Sequence, residues 1–342
     1  MLHTKDDPVK RFNLLPWIEK YRPMRITAIL LESNVRDEIM RMVEEKDTPN
    51  LIITGRPGIG KTTTIKCLAR TLYGEYYDQS VLELNASDDR GIKIEIDIAR
   101  FCRSLSYIPD KNKHKHPSHK LIILDEADNI TEKAQHIISK LMGLYQDTTK
   151  FAFTCNTSYN IIEIIQSRCK IIRYQKVNVD KITLRLEDVC ELEKVPFEQD
   201  GLEYVAELCD GDMRCALNIL ELTFRRHKHV TKDAISDVYD KPQRQVLRNI
   251  IDACLKKNIK QSLKLTKLLK NKGYTGTDIA SGLFSTLKSK HCSDIDEYVK
   301  LQLCEPVCET TYIISNGLDT DLQLFNCIMK LCSLNIQTDV KN

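Results

Sequence analysis

The sequence predicts an α/β domain built on a parallel sheet, followed by helices only. Three observations carry this: a glycine-rich loop fused to a short apolar strand, a second apolar strand ending in paired carboxylates, and the loss of strand-like runs after about residue 174. Apolar runs at 51–54, 81–84, 121–124, 151–155 and 170–172 alternate with helix-length amphipathic segments. Such alternation gives parallel strands with helices on both faces. Segments 181–192, 199–209 and 212–225 then carry apolar residues at three- and four-residue spacing, as a small helical domain requires. Beyond the breaker Asp240-Lys-Pro242, further helices are expected at 245–255, 259–269, 277–287 and 322–334. The insert 109–119, with three histidines among lysines, reads as a solvated loop whose histidines lack carboxylate or cysteine support for a metal.

The first strand runs into Gly55-Arg56-Pro57-Gly58-Ile59-Gly60-Lys61-Thr62, with Thr63 behind it. This is the phosphate-cradling pattern, in which glycines turn successive backbone N–H groups toward one point at a helix N-terminus. ATP or GTP with Mg²⁺ is therefore the expected ligand. Lys61 is placed to neutralise the β and γ oxygens, and the Thr62 hydroxyl suits a Mg²⁺ coordination position. A second acidic site follows in Lys120-Leu-Ile-Ile-Leu-Asp125-Glu126-Ala-Asp128, where a buried parallel strand delivers carboxylates at its C-terminal edge. Asp125 is expected to hold the metal through its water shell. Glu126 is expected to orient and deprotonate the attacking water, the step that separates a hydrolase from a nucleotide binder.

A chain of 342 residues, 42% of them hydrophobic, is long enough for two or three domains. The opening Met-Leu-His-Thr-Lys-Asp-Asp has no apolar stretch and no run of 18 apolar residues exists, so neither secretion nor a membrane span is expected. The 13 cysteines are scattered without a paired C-x-x-C set, which points to buried thiols in a reducing compartment. Because 51 basic and 48 acidic residues nearly cancel, any basic surface must be local.

Several short segments, in order, resemble one family. They are Pro16-Trp-Ile-Glu-Lys-Tyr-Arg-Pro23, the phosphate loop, Leu84-Asn-Ala-Ser-Asp-Asp-Arg-Gly-Ile92, Leu124-Asp-Glu-Ala-Asp128, Cys155-Asn156, Gln166-Ser-Arg-Cys169 and Gly211-Asp-Met-Arg214. Together they resemble the small subunits of replication factor C, the clamp loader among the AAA+ ATPases, and most of all the subunit 2 type. The resemblance implies an αβα AAA+ domain at 15–177 after a tail of 14 residues, a helical lid at 178–239 and an all-α collar at 240–342. It also implies ATP with Mg²⁺ as cofactors, a nuclear hetero-pentamer, a sliding clamp of the proliferating cell nuclear antigen type, and primer–template DNA as partners.

Residue by residue, the resemblance implies that Ile18 and Leu30 give adenine an apolar surface while Tyr21 and Arg22 frame it. Asn156 matches sensor 1, near the γ-phosphate, and Arg214 matches sensor 2 on the lid. Arg168 matches an arginine finger that completes the neighbouring subunit's ATP site in trans. Arg90, Gly91, Ile92 and Lys140 match positions that follow the DNA backbone. The chain departs from the family pattern at Glu95, where a basic residue is usual, and at Ser139 and Gly143, which replace an arginine and a glutamate. Weaker DNA grip or weaker coupling of ATP to DNA is expected from these changes. Two rival readings are a different AAA+ machine, such as a branch-migration motor, and a structural subunit that binds ATP with little hydrolysis.

Overall fold

The computed structural model describes residues 15–87, 92–104, 116–239, 242, 244–289, 292–318 and 320–334. Five parallel strands, β1 (Leu51–Thr54), β2 (Val81–Asn85), β3 (Lys120–Asp125), β4 (Thr149–Cys155) and β5 (Lys170–Arg173), lie in the order β2-β3-β4-β1-β5. The connection leaving β1 crosses toward β2 whereas that leaving its neighbour β4 crosses toward β5, so the loop after β1 opens at a switch point beside the end of β4, with the end of β3 one strand further. In open α/β sheets that edge is where ligands bind.

Alternation along each strand feeds two cores. Leu51 and Ile53 of β1, with Leu121 and Ile123 of β3, pack against helices α2 (Ser33–Glu45) and α3 (Lys61–Tyr73); a short helix, α1 (Trp17–Lys20), precedes them in the chain. A further short helix, α4 (Tyr77–Ser80), leads into β2. Ile52, Ile122 and Leu124 face the opposite way, against α5 (Ile92–Arg103), α6 (Glu132–Leu144) and α7 (Glu163–Gln166). Both faces of the sheet are thus covered, which is why its strands read as nearly continuous apolar runs.

Two buried side chains here differ from their sequence reading. His119, expected in a solvated loop, is only 3% exposed; its Nε2 bonds Thr48 Oγ1 at 2.8 Å and its carbonyl accepts from Tyr73 Oη at 3.0 Å. Burial pushes its imidazole down to about 4, so it packs as a neutral ring. Lys120, expected only to open a strand, sends its ammonium to the carbonyls of Phe101 (2.5 Å), Cys102 (3.1 Å) and Ser104 (2.6 Å). It closes the C-terminal end of α5, where unpaired carbonyls and the helix dipole both favour a cation. Lys120→Met is expected to cost about 2 kcal/mol, the usual worth of hydrogen bonds to a charged group. Amide exchange in the last turn of α5 should accelerate accordingly; unchanged exchange there would remove this role from Lys120.

The same compact unit, which extends to Val238, includes four more helices: α8 (Val179–Glu193), α9 (Gln199–Leu208), α10 (Met213–His227) and α11 (Lys232–Val238). Leu186, Val189, Leu202, Val205, Leu220 and Ile235 are buried among them. The expected division at 177/178 falls inside this unit, just before α8.

A second compact unit begins at Tyr239 and contains α12 (Arg244–Leu255), α13 (Ile259–Asn271), α14 (Gly276–Lys288), α15 (Glu297–Ser315) and α16 (Asp321–Ser333). Leu247, Ile251, Leu283, Val307, Ile314 and Ile328 belong to its core. Helix α15 was not expected from the sequence, because Pro306 interrupts it and breaks the usual reading of a helical pattern. The helix persists because Leu303, Val307 and Ile314 are buried on either side of the proline, and Thr310 Oγ1 donates to the Pro306 carbonyl (2.8 Å). All 13 cysteines are free thiols, most of them buried. Among the described residues, no helix is long and apolar enough to cross a membrane.

Candidate nucleotide site

The loop between β1 and α3 holds its shape through glycine. Gly58 sits at φ +74°, and a Cβ there would fall 1.8 Å from Asp212 Oδ1. Asp212 is the N-cap of α10, accepting from the N–H groups of Arg214 (2.9 Å) and Cys215 (3.1 Å), while Met213 N–H donates to the Gly58 carbonyl at 3.2 Å. The phosphate loop and the start of α10 therefore meet at a point that tolerates no side chain. Such contact brings Arg214 to the same cleft as the loop.

Lys61 opens α3 and turns its ammonium back under the loop. Its Nζ donates to the carbonyls of Gly55 (2.6 Å) and Arg56 (2.8 Å) and to Asn156 Oδ1 (2.9 Å). Burial lowers the Lys61 pKa, while Cys155, Asp128 and Asp125 oppose that shift. The strand ends thus bring a cation and the sensor-like asparagine into direct contact.

At the end of β3, Asp125 Oδ1 accepts from Thr62 Oγ1 at 2.8 Å and from Thr154 Oγ1. Glu126 adopts left-handed backbone at φ +53°, which directs it away from Asp125. Its Oε2 accepts from Ser87 Oγ and from Asn129 Nδ2 (3.3 Å). Asp128 Oδ2 accepts from Asn156 N–H (3.1 Å), whereas its Oδ1 is buried with no hydrogen-bond partner. The Thr62 hydroxyl and the Asp125 carboxylate, in direct contact, are hard oxygen donors of the kind Mg²⁺ prefers.

Ile18, Tyr21, Arg22 and Leu30 line the cleft with Pro57, Gly58, Ile59, Gly60, Lys61, Thr62 and Thr63. Asp125, Glu126, Asn156 and Arg214 line it as well. Gly55 and Arg56 are not among the lining residues: their carbonyls hold Lys61, and the Arg56 guanidinium turns to Asp210 Oδ2 at 2.6 Å. Arg168 is also absent from the lining. Its Nη1 donates to the Ser139 carbonyl at 3.0 Å, and a Cβ on Gly143 would lie 3.0 Å from that same nitrogen. Two of the three departures from the family pattern, Ser139 and Gly143, therefore sit under Arg168. Lys140 lies on the exposed side of α6, Ile92 begins α5, and Arg90 and Gly91 fall outside the described residues.

Thr154, Asp128, Ser87 and Asn129 were not singled out from the sequence, although they hold Asp125, Asn156 and Glu126. Asp128 and Ser87 stand inside segments that carry the family resemblance, and Thr154 and Asn129 one residue outside them, which was the available signal. Arg185 and Leu217, which also line the cleft, gave none, because only the packing of α8 and α10 brings them there, whereas Met213, in the same lining, stands inside Gly211-Asp-Met-Arg214.

Three family models match successive parts of the chain: the ATPase family associated with various cellular activities at residues 51–177, an RCF1/5-like AAA+ ATPase lid domain at 184–225, and the replication factor C C-terminal domain at 242–330. The probable replication factor C subunit 2 of Dictyostelium discoideum is 38% identical over 325 residues, covering 95% of this chain and 94% of that protein. The chain belongs to the replication factor C small-subunit family. Replication factor C subunit 4 of Saccharomyces cerevisiae is also 38% identical, with coverage of 94% and 97%, and the small subunit of Sulfurisphaera tokodaii is 35% identical, with coverage of 92% and 94%. Among solved structures, the RuvB Holliday junction branch migration motor of Thermotoga maritima matches with a TM-score of 0.53 over 67% of this chain and 79% of that one. At 16% identity this likeness shows a common AAA+ fold and nothing finer. Replication factor C membership accordingly outweighs the branch-migration reading.

Proposed function

We propose that this chain binds and hydrolyses ATP with Mg²⁺ as one small subunit of a hetero-pentameric clamp loader, which opens a ring-shaped sliding clamp and places it on primer–template DNA in the nucleus. The observation that carries the reading is the convergence of Lys61, Asp125, Glu126, Asn156 and Arg214 on one cleft that Arg168 does not line. A site so furnished has every group for phosphoryl transfer except an arginine finger, and this chain carries one turned elsewhere.

Within the cleft, the loop N–H groups and Lys61 bind the phosphates. Thr62 and Asp125 would hold a magnesium ion, which when bound would supply charge to neutralise the phosphate oxygens. Glu126 accepts a proton from the attacking water, and Asn156 orients it. Ser87 and Asn129 hold Glu126 by its Oε2 and so set the orientation of the carboxylate. Arg214 reaches from α10 to the γ-phosphate, so nucleotide state sets the position of α10 relative to the loop.

The DNA task follows from the family together with the exposed Lys140 on α6. Contacts of this kind go to phosphate, so affinity of the assembled complex is expected to fall by about 10³-fold or more between 50 and 200 mM salt if six or more phosphates are engaged. Base sequence should change it little at fixed primer–template geometry. Fluorescence titrations across salt and sequence check this. Strong sequence preference with a shallow salt slope would contradict it.

A further inference from the structure

One wall of the cleft is made by residues 18–23, yet this strap is fastened to the helices after β5. The Trp17 indole stacks on Phe224 of α10 with ring centroids 5.8 Å apart and planes 25° from parallel, and its backbone N–H donates to Glu221 Oε2 at 2.9 Å. Both Trp17 and Glu221 are buried. At the other end of the strap, Glu193, the last residue of α8, accepts from Lys20 Nζ at 2.6 Å and from Tyr21 Oη at 2.7 Å. Arg185 of the same helix donates to the Tyr21 carbonyl at 3.3 Å. Contacts to α3 of the sheet domain come at Pro23, whose carbonyl accepts from Cys67 Sγ (3.2 Å), and at Met24.

We propose that Glu193 is a positioning residue for the adenine base: by clamping Lys20 and Tyr21 it makes the strap part of the lid. The proposal rests on the nucleotide reading above. Its physical basis is that a partly buried carboxylate taking both a charge-assisted and a phenolic donor is held firmly. Burial by itself raises the Glu193 pKa, but the donors Lys20 and Tyr21 outweigh it and keep the carboxyl below the usual range. With the strap so fixed, Ile18 and Tyr21 join Met213 and Leu217 of α10 in the cleft lining as residues held by α8 and α10, while the phosphate loop is carried by β1 and α3. A single nucleotide then touches both sets of residues, its base those held by the lid helices and its phosphates those of the loop after β1. Glu193 touches no phosphate-binding residue, so its loss should damage one end of that grip only.

The full chain offers a direct reporter, since Trp17 is its only tryptophan. Glu193→Ala is expected to raise acrylamide quenching of Trp17 fluorescence, and Glu193→Gln, which keeps an acceptor for Tyr21, to raise it less. ATP should bind Glu193→Ala about tenfold more weakly or worse, whereas inorganic tripolyphosphate, which has no base, should bind as it does to the unaltered chain. Unchanged quenching together with unchanged ATP affinity would overturn the proposal. Parallel loss of ATP and tripolyphosphate in both variants would also overturn it, by showing general damage in place of base positioning. Should the unaltered chain bind no ATP, the nucleotide reading fails, and the quenching result still decides whether Glu193 clamps the strap.

Discussion

Arg168→Ala is expected to leave this chain's own ATP binding intact while slowing hydrolysis at the adjacent subunit's site by about 10³-fold or more, the usual worth of an arginine finger. Arg168 does not line its own cleft and rests on the Ser139 carbonyl, so removing it takes nothing from the local phosphate grip. A mixed assembly checks this. Arg168→Ala in this chain is combined with Asp/Glu-box substitutions that abolish hydrolysis in every other subunit except the neighbour whose site it completes. Turnover is then compared with the same assembly carrying Arg168. Equal turnover means that the finger comes from another residue. The seat of Arg168 adds a detail: Gly143 presents no side chain to the guanidinium, so no carboxylate at that position holds it back by charge.

Lys61→Ala and Glu126→Gln are expected to separate binding from turnover. Lys61 bridges the loop carbonyls and Asn156 from beneath, so its loss removes both the cation for the phosphates and the tie that keeps the loop and the end of β4 together. ATP binding should disappear at concentrations that saturate the unaltered chain. The Glu126 carboxylate accepts from Ser87 and Asn129 and makes no tie to the loop like that of Lys61. Glu126→Gln should retain ATP and lower hydrolysis by about 10²-fold or more, the contribution of a general base. Equilibrium binding of a fluorescent ATP analogue and steady-state phosphate release measure the two quantities separately. Equal loss of binding in both variants would refute the assigned roles.

Much of this site was legible because its chemistry is local in sequence. Gly55 to Thr62 and Asp125-Glu126 each need only a strand end and a turn, and the order of apolar runs foretold all five strands of the sheet. What the sequence withheld depends on long-range packing. Lys120 reads as the polar edge of a strand, and only the return of α5 to the same place makes it a helix cap. His119 sits among lysines and histidines in sequence, but Thr48 and Tyr73 enclose it. The strap shows the same limit more sharply: Trp17 to Pro23 could be matched to a base-binding segment by its residues, whereas its fastening to Glu193 and Glu221 spans more than 170 positions. Helix α15 was hidden for a different reason, since Pro306 breaks a local rule that burial on both sides of it overrides.

The native mass of the complex that this chain forms with its partner subunits in the presence of ATP decides between a clamp loader and another AAA+ machine. A clamp-loader small subunit predicts an assembly of five chains containing a single copy of this one. A homohexamer of this chain, stable without other subunits, would contradict the account and restore the reading of a different AAA+ machine.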